Sequence, residues 1–297
     1  MTTLGTIAGV AGEGRRAHQT PGIPSNIATV ARREMREAMR SRWFLLYSLA
    51  FAALGLSLSF VSAAAAGGMG LAGFGRTTAG LVNLVLLVVP LMGLTAGAGS
   101  IAGDRERGML TYLLSQPVSR TEVLLGKYLG LAGALVACIT LGLGACAAIM
   151  AWKGDATRPG SLVWLGGLSL ALAMGMLSVG MLLSVLARKA SVAVGTAVFL
   201  WLVLVFATDL ALMAGAIAMK LRIEELFSLA LLNPLQVFKM WSLHAADASL
   251  DVLGPAGLYA TEEYGRWLHA IFGGCLAAWI VLPLTAAAVV FARRSPV

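Results

Sequence analysis

The sequence predicts an all-α polytopic membrane protein with six transmembrane helices, and three observations predict it. Charged residues make up 12% of the 297 residues and hydrophobic ones 59%, against roughly 25% charged in an average soluble domain. The charges are also segregated. No Asp, Glu, Lys or Arg occurs from Trp43 to Gly75, Thr77 to Gly103, Tyr128 to Trp152, Pro159 to Ala187 or Trp267 to Ala292, and Ala190 to Met219 carries Asp209 alone. Each stretch reaches the ~20 residues a helix needs to cross the hydrocarbon core. Finally, the basic residues divide fifteen to seven between alternate connections. The positive-inside rule puts the richer set, and with it both termini, in the cytoplasm, as in a multi-pass protein of the inner (plasma) membrane. The net charge of +8 is therefore a topology signal and an attraction to anionic headgroups, not a nucleic-acid footprint.

Residues 1–24 are rich in Gly, Thr and Ala and end in Pro21-Gly-Ile-Pro24, which reads as a disordered cytoplasmic leader ahead of one transmembrane domain, 25–297. The first 42 residues hold seven Arg and no apolar core of cleavable-signal length. Ser25 or Asn26 can cap an amphipathic helix with Ile27, Val30, Ala31, Met35 and Ala38 on one side and Arg32, Arg33, Arg36, Glu37 and Arg40 on the other. Glu34 falls among the apolar set and spoils the pattern. Such a helix lies along the inner membrane surface and runs into the first span; the plainer reading is a juxtamembrane basic cluster.

The six spans are expected at about 43–65, 79–102, 125–151, 162–187, 192–214 and 267–291. The second contains Pro90, which neighbouring helices can accommodate. Cys138, Cys146 and Cys275 all lie within spans and read as small buried residues. A single long outer segment, roughly Lys220 to Arg266, precedes the last span. Asn233-Pro234 breaks it into two short amphipathic helices whose large side chains include Phe227, Leu231, Phe238 and Trp241. That face either rests in the outer membrane interface or docks an extracytoplasmic protein.

The most informative connection is the cytoplasmic one between the second and third spans, Gly103 to Lys127. Met109, Leu110, Leu113 and Leu114 form one side of a short helix that stops by Gln116-Pro117. Ser119-Arg-Thr-Glu122 fits a capping box opening the next helix. The result is a folded elbow that presents Asp104, Arg105, Glu106 and Arg107 at its start.

Here the chain resembles the ABC-2 type permeases. The residues that carry the resemblance are Asp104-Arg-Glu106-Arg107-Gly108-Met-Leu110, then Leu113-Leu114, Pro117, Arg120 and Gly126-Lys127. The outer run Asn233-Pro-Leu-Gln-Val-Phe-Lys239, with Leu253-Gly-Pro-Ala-Gly257, is similar to a branch associated with maturation of multicopper enzymes such as nitrous oxide reductase. The resemblance implies a homodimeric permease bound to cytoplasmic ATPase subunits, with Asp104, Glu106, Arg107, Gly108, Leu110, Leu113, Gln116, Pro117 and Arg120 in the coupling element. It also implies a task in export or in extracytoplasmic copper-enzyme maturation. The chain has no GxxxxGK[ST] phosphate loop, so ATP and Mg belong to the separate ATPase. This chain needs no cofactor and is not itself an enzyme. An ordinary exporter of lipid, drug or natural product is the first rival, and a non-transporting assembly anchor the second.

No catalytic constellation stands out. His18, His244 and His269 are scattered in sequence. A Cu(I) site from His244 or His269 with methionines is chemically open, but Met174, Met176 and Met181 read better as packing residues, and no metal site is expected. Asp209 is the one charge inside a span. An acid at the bilayer centre costs about 2.5–3.5 kcal/mol, so it faces protein or water. It either lines a dimer interface or substrate path, or is hydrogen-bonded to Thr208 or a neighbouring helix.

Overall fold

The computed structural model describes residues 23–66, 72–116, 118–152, 159–217, 222–245 and 263–293. The expected leader therefore lies almost wholly outside the described residues, as do Pro117 and Leu253 to Gly257. The described chain begins with α1 (Ile23–Arg40), α2 (Arg42–Ala66), α3 (Ala72–Glu106), the short α4 (Met109–Leu114), α5 (Arg120–Trp152) and α6 (Pro159–Leu186). Then α7 (Ala190–Leu202) runs through a π-helical turn (Val203–Ala207) into α8 (Thr208–Ile217). The last elements are α9 (Ile223–Leu231), α10 (Pro234–Ala245) and α11 (Leu268–Arg293). No strand occurs among the described residues.

Five stretches are long and apolar enough to cross a membrane: Gly80–Glu106, Arg120–Ala148, Leu162–Leu186, Ala190–Gly215 and Leu268–Arg293. Each coincides with an expected span. In α2 the apolar stretch is the shorter Phe44–Ser57, so the described count is five where the sequence reading gives six. Pro90 does not interrupt α3. Helix α1 starts at Ile23 rather than at a Ser25 or Asn26 cap, because a proline such as Pro24 is tolerated in the first turn, where its missing N–H costs nothing.

Side-chain contacts fix the direction of each helix. Ser184 Oγ on α6 accepts from the N–H of Ile101 (3.0 Å) and Ala102 (2.8 Å) on α3. Gly93 of α3 lies against Ala173 and Met176, so α3 and α6 run the same way. Tyr47 Oη meets Thr95 Oγ1 at 3.2 Å while Gly55 approaches Leu84, so α2 opposes α3. Helices α3 and α6 form the buried centre, with Val85, Val89, Leu94, Leu172, Met176 and Met181 among the core side chains. Met176 and Met181 are fully buried and Met174 packs on that core, as packing residues should be. Helix α7 and its continuation α8 turn large apolar side chains outward, including Phe199, Phe206, Leu210 and Met213.

The helices α3 and α5 are too long for the bilayer alone. Their 35 and 33 residues rise about 50 Å each, against about 30 Å of hydrocarbon. Ser48 of α2 lies beside Cys138 of α5 at 2.9 Å, and α2 begins at Arg42. Helix α5 therefore extends about 18 Å beyond the start of α2. That overhang carries the candidate site.

Candidate functional site

At the overhang, Lys127 is only 2% exposed. Its Nζ sits 2.7 Å from Asp104 Oδ2 and 2.8 Å from Glu34 Oε2. Arg107 adds a second contact to Asp104, at 3.0 Å. One buried ammonium thus joins three elements: α1 through Glu34, the end of α3 through Asp104, and α5 through itself. A charge taken out of water persists only where partners satisfy it. Here two carboxylates do so. Burial raises the Glu34 carboxyl above its ordinary pKa, and the adjacent Lys127 partly restores it.

Helix α1 reaches this place because α5 lets it approach. A Cβ added to Gly130 would stand 2.5 Å from the Ala31 carbonyl and 2.7 Å from Glu34 Cβ, so only glycine fits there. Val30 lies beside Gly126 and Met35 beside Gly133. These contacts advance together along both helices, so α1 packs lengthwise against the α5 overhang. The apolar side read from the sequence faces α5 rather than lipid alone. Glu34, which disturbed that side, is the residue that meets Lys127.

The neighbouring side chains tie the remaining helix ends. Arg105 donates to the Ala187 carbonyl at the end of α6 (2.6 Å), and the Ala190 N–H at the start of α7 donates to Glu106 Oε2 (3.2 Å). An acid at a helix N-terminus and a guanidinium at a C-terminus each complement the helix dipole. Arg120 donates to the Phe291 carbonyl in the last turn of α11 (3.2 Å). Glu122 Oε2 accepts from the Ser119 N–H (2.8 Å) and Ser119 Oγ from the Glu122 N–H (3.3 Å), which is the capping box expected from sequence. Among the described residues, the connections rich in basic residues therefore meet at one end of the bundle.

Between these anchors stands α4. Gly108 enters it with φ of 72°, a conformation that favours glycine. Leu110 is 1% exposed and faces inward; Leu113 is half-buried, while Thr111, Tyr112 and Gln116 are exposed. The sequence reading presented Asp104 as a surface charge, but the structure buries it beneath Lys127. Tyr112, 61% exposed, is instead the large side chain that α4 offers outward. Lys127, Glu34 and Tyr112 were not among the sequence-chosen site residues. The signal for the first two was an acid on an apolar helix face and a lysine at the mouth of an apolar span.

A second constellation lies toward the opposite end. Asn233 Nδ2 donates to the Leu204 carbonyl (2.6 Å), inside the π turn, and to Thr208 Oγ1 (2.8 Å). Gln236 Nε2 donates to Asp209 Oδ1. Asn83, Asp209, Gln236 and Lys239 share a cavity of about 150 Å³. The sequence reading set Asp209 inside a span, either lining a dimer interface or substrate path or bonded to Thr208 or a neighbouring helix. It is bonded to Gln236 of α10, and it stands six residues from the end of the apolar stretch at Gly215.

Helices α9 and α10 correct another expectation. Phe227 is 3% exposed, Phe238 0% and Asn233 3%. Pro234 is buried, and Leu231 and Trp241 are partly so. Phe227 and Leu231 pack with Phe272 and Leu276 of α11, while Phe238 joins the main core. The amphipathic face expected to meet lipid or a partner is spent on α6 and α11, because those helices expose an apolar wall that α9 and α10 cover. His244 and His269 come together, with ring centroids 5.1 Å apart. No group of three or more metal-type ligands occurs among the described residues.

The described helices thus form an apolar bundle whose ends are cross-tied around one short exposed helix. The chain belongs to the ABC-2 family of transporter proteins, whose family model matches residues 28–295. Among individual proteins it is similar to two ABC transporter permease proteins named NosY. The one from Stutzerimonas stutzeri is 31% identical over 276 residues, covering 91% of this chain and 99% of that protein. The one from Pseudomonas aeruginosa is 33% identical over 274 residues, covering 90% and 98%.

Proposed function

We propose that this permease subunit sits in the plasma membrane with six spans, counting α2, and with the basic end and both termini in the cytoplasm. Two copies pair with separate ATPase subunits that hold ATP and Mg. The observation that carries the reading is the rooting of α4. A push on Tyr112 reaches α3 directly, α1 and α5 through Asp104–Lys127–Glu34, and α6 and α7 through Arg105 and Glu106. A short helix fastened to five others transmits force; a floppy loop does not.

Pairing of two copies is supported by Asp209, an exposed residue among exposed Phe206, Leu210 and Met213. A carboxylate facing lipid is costly, and a second copy laid over α7 and α8 removes that cost. The task supported best is extracytoplasmic maturation of a copper enzyme, by exporting a needed species or by working an external protein. Its support is the likeness to NosY proteins over nearly the whole chain and the run Asn233 to Lys239. An external protein would meet Leu232 (70% exposed) and Trp267 (68%) rather than Phe227 or Phe238.

The test uses the chain co-expressed with its ATPase. Tyr112→Asp leaves insertion intact and lowers ATPase-dependent function at least tenfold. Joint reversal of Asp104 and Glu106 to lysine uncouples as well, with loss of stability from the buried site. Full activity in Tyr112→Asp contradicts the coupling role of α4.

A further inference from the structure

Arg120 ties the last turn of α11 to the α4 end of the bundle, so the first turn of α11, which holds His269, lies at the far end. There α10 and α11 run antiparallel. Trp241 packs on Gly273 at 3.4 Å and on the Phe272 ring. One turn further out on each helix, His244 meets His269, with ring centroids 5.1 Å apart and planes at 64°. Trp164 of α6 flanks the pair, 6.3 Å from His269 and 5.9 Å from Trp241. His244 is half-buried and His269 exposed, so the pair stands on an aromatic wall and is open to its surroundings. The two histidines are far apart in sequence, and only the antiparallel pairing of α10 with α11 joins them.

Two imidazoles at this spacing match a shared metal ion. With metal–nitrogen bonds of about 2.0–2.1 Å, a trigonal or tetrahedral angle sets the two ring centres about 5–5.5 Å apart, and a linear arrangement about 6.3 Å. The observed spacing is the bent case, which leaves a position for a third donor. No Asp, Glu or Cys completes a group of three with the pair among the described residues, so Glu263 and Cys275 stand apart from it. Helices α6 and α11 bring no Asp, Glu, Lys or Arg to this end. Lys239, the one lysine of α10, lines the cavity it shares with Asp209. The donor in place is a thioether. Met240 lies one turn before His244 on the same side of α10. It is 4% exposed and packs with Leu268 and Phe272, which flank His269 along α11.

The ligand set selects the ion. Zn(II) sites take three or four protein ligands from His, Cys, Asp and Glu, and this pair falls short. Imidazole with thioether suits a soft monovalent ion, and the faces of Trp164 and Trp241 attract a cation. We propose that His244, His269 and Met240 form a binding site for one soft monovalent metal ion of the Cu(I) class, at the end of the bundle opposite α4. The site stands on these side chains and not on the copper-enzyme reading above. Binding to the isolated chain needs neither an ATPase nor export, so either reading can fail alone.

The experiment is anaerobic titration of the full chain with Cu(I), in mild detergent, against a colorimetric Cu(I) chelator. The chain carries Cys275→Ala, so that this half-buried thiol does not compete. One Cu(I) per chain is expected to resist the chelator and to quench tryptophan fluorescence, while Zn(II) does not displace it. His269→Phe keeps a ring against Trp164 and Trp241 but removes the nitrogens, and weakens binding about a hundredfold or more. Met240→Leu keeps the volume and loses the soft donor, and weakens Cu(I) binding about tenfold or more. His269 is exposed, so its variant folds and keeps the test valid should Met240→Leu disturb the core. Absence of chelator-resistant Cu(I), binding unchanged in His269→Phe or in Met240→Leu, or Zn(II) held as tightly as Cu(I) overturns the proposal.

Discussion

Replacing Lys127 with methionine removes the ammonium and keeps most of the side-chain volume. It strands Glu34 and leaves Asp104 with Arg107 alone, the two side chains being 15% and 9% exposed, with like charges facing one another. Breaking a buried ion pair by removing one partner costs about 3–5 kcal/mol, whereas replacing all members by neutral groups of similar shape is often close to neutral. The single variant Lys127→Met is therefore expected to lose about 3–5 kcal/mol. The triple variant with Glu34→Gln and Asp104→Asn recovers more than half of that. The assay is equilibrium unfolding of the purified chain in mild detergent, with membrane insertion checked first. A triple variant as unstable as the single one would refute the reasoning, since the cost would then be lost packing rather than stranded charge. So would a silent single variant.

Other outcomes follow from the same geometry. The raised Glu34 pKa means the folded state holds its proton more tightly than the unfolded one, so this group's contribution to stability is full below the ordinary value of 4.5. It is lost as pH rises through the folded value. Glu34→Gln flattens that part of a stability-against-pH curve, and an unchanged slope there counts against the burial. Gly130→Val should force α1 off α5 and cost about 1–3 kcal/mol from overpacking, read as new protease sensitivity near Arg36. Asn233→Ala leaves the Leu204 carbonyl of the π turn without its side-chain donor, at about 1–3 kcal/mol, seen as a lowered melting temperature. Reporter fusions after Lys189 should read cytoplasm and those near Glu263 the outside; a cytoplasmic reading at Glu263 breaks the six-span topology.

Much of this architecture was legible because lipid imposes a coarse code. Runs free of charge placed the five described spans to within a few residues, and Ser119 with Glu122 announced their own capping box. The α4 helix was visible from Leu110, Leu113 and Leu114. What the sequence could not reveal depends on packing between distant segments. Glu34 looked like a flaw in an amphipathic pattern until Lys127, 93 residues away, supplied its partner. Phe227 and Phe238 looked free because hydrophobicity marks a face for burial without saying against what; α6 and α11 provide the wall. The π turn at Val203–Ala207 has no sequence mark of its own. It becomes intelligible only when Asn233 is seen donating to Leu204.

The central claim is that α4 is where an external ATPase grips this permease. The direct measurement is site-specific cross-linking in native membranes, with a photoreactive residue at Tyr112 and a control at Phe199, 66% exposed on α7. The account predicts an ATP-binding protein covalently captured from position 112, with capture altered by non-hydrolysable nucleotide, and none from position 199. Capture of no ATP-binding protein at position 112, in membranes where the ATPase co-purifies with the chain, would contradict it.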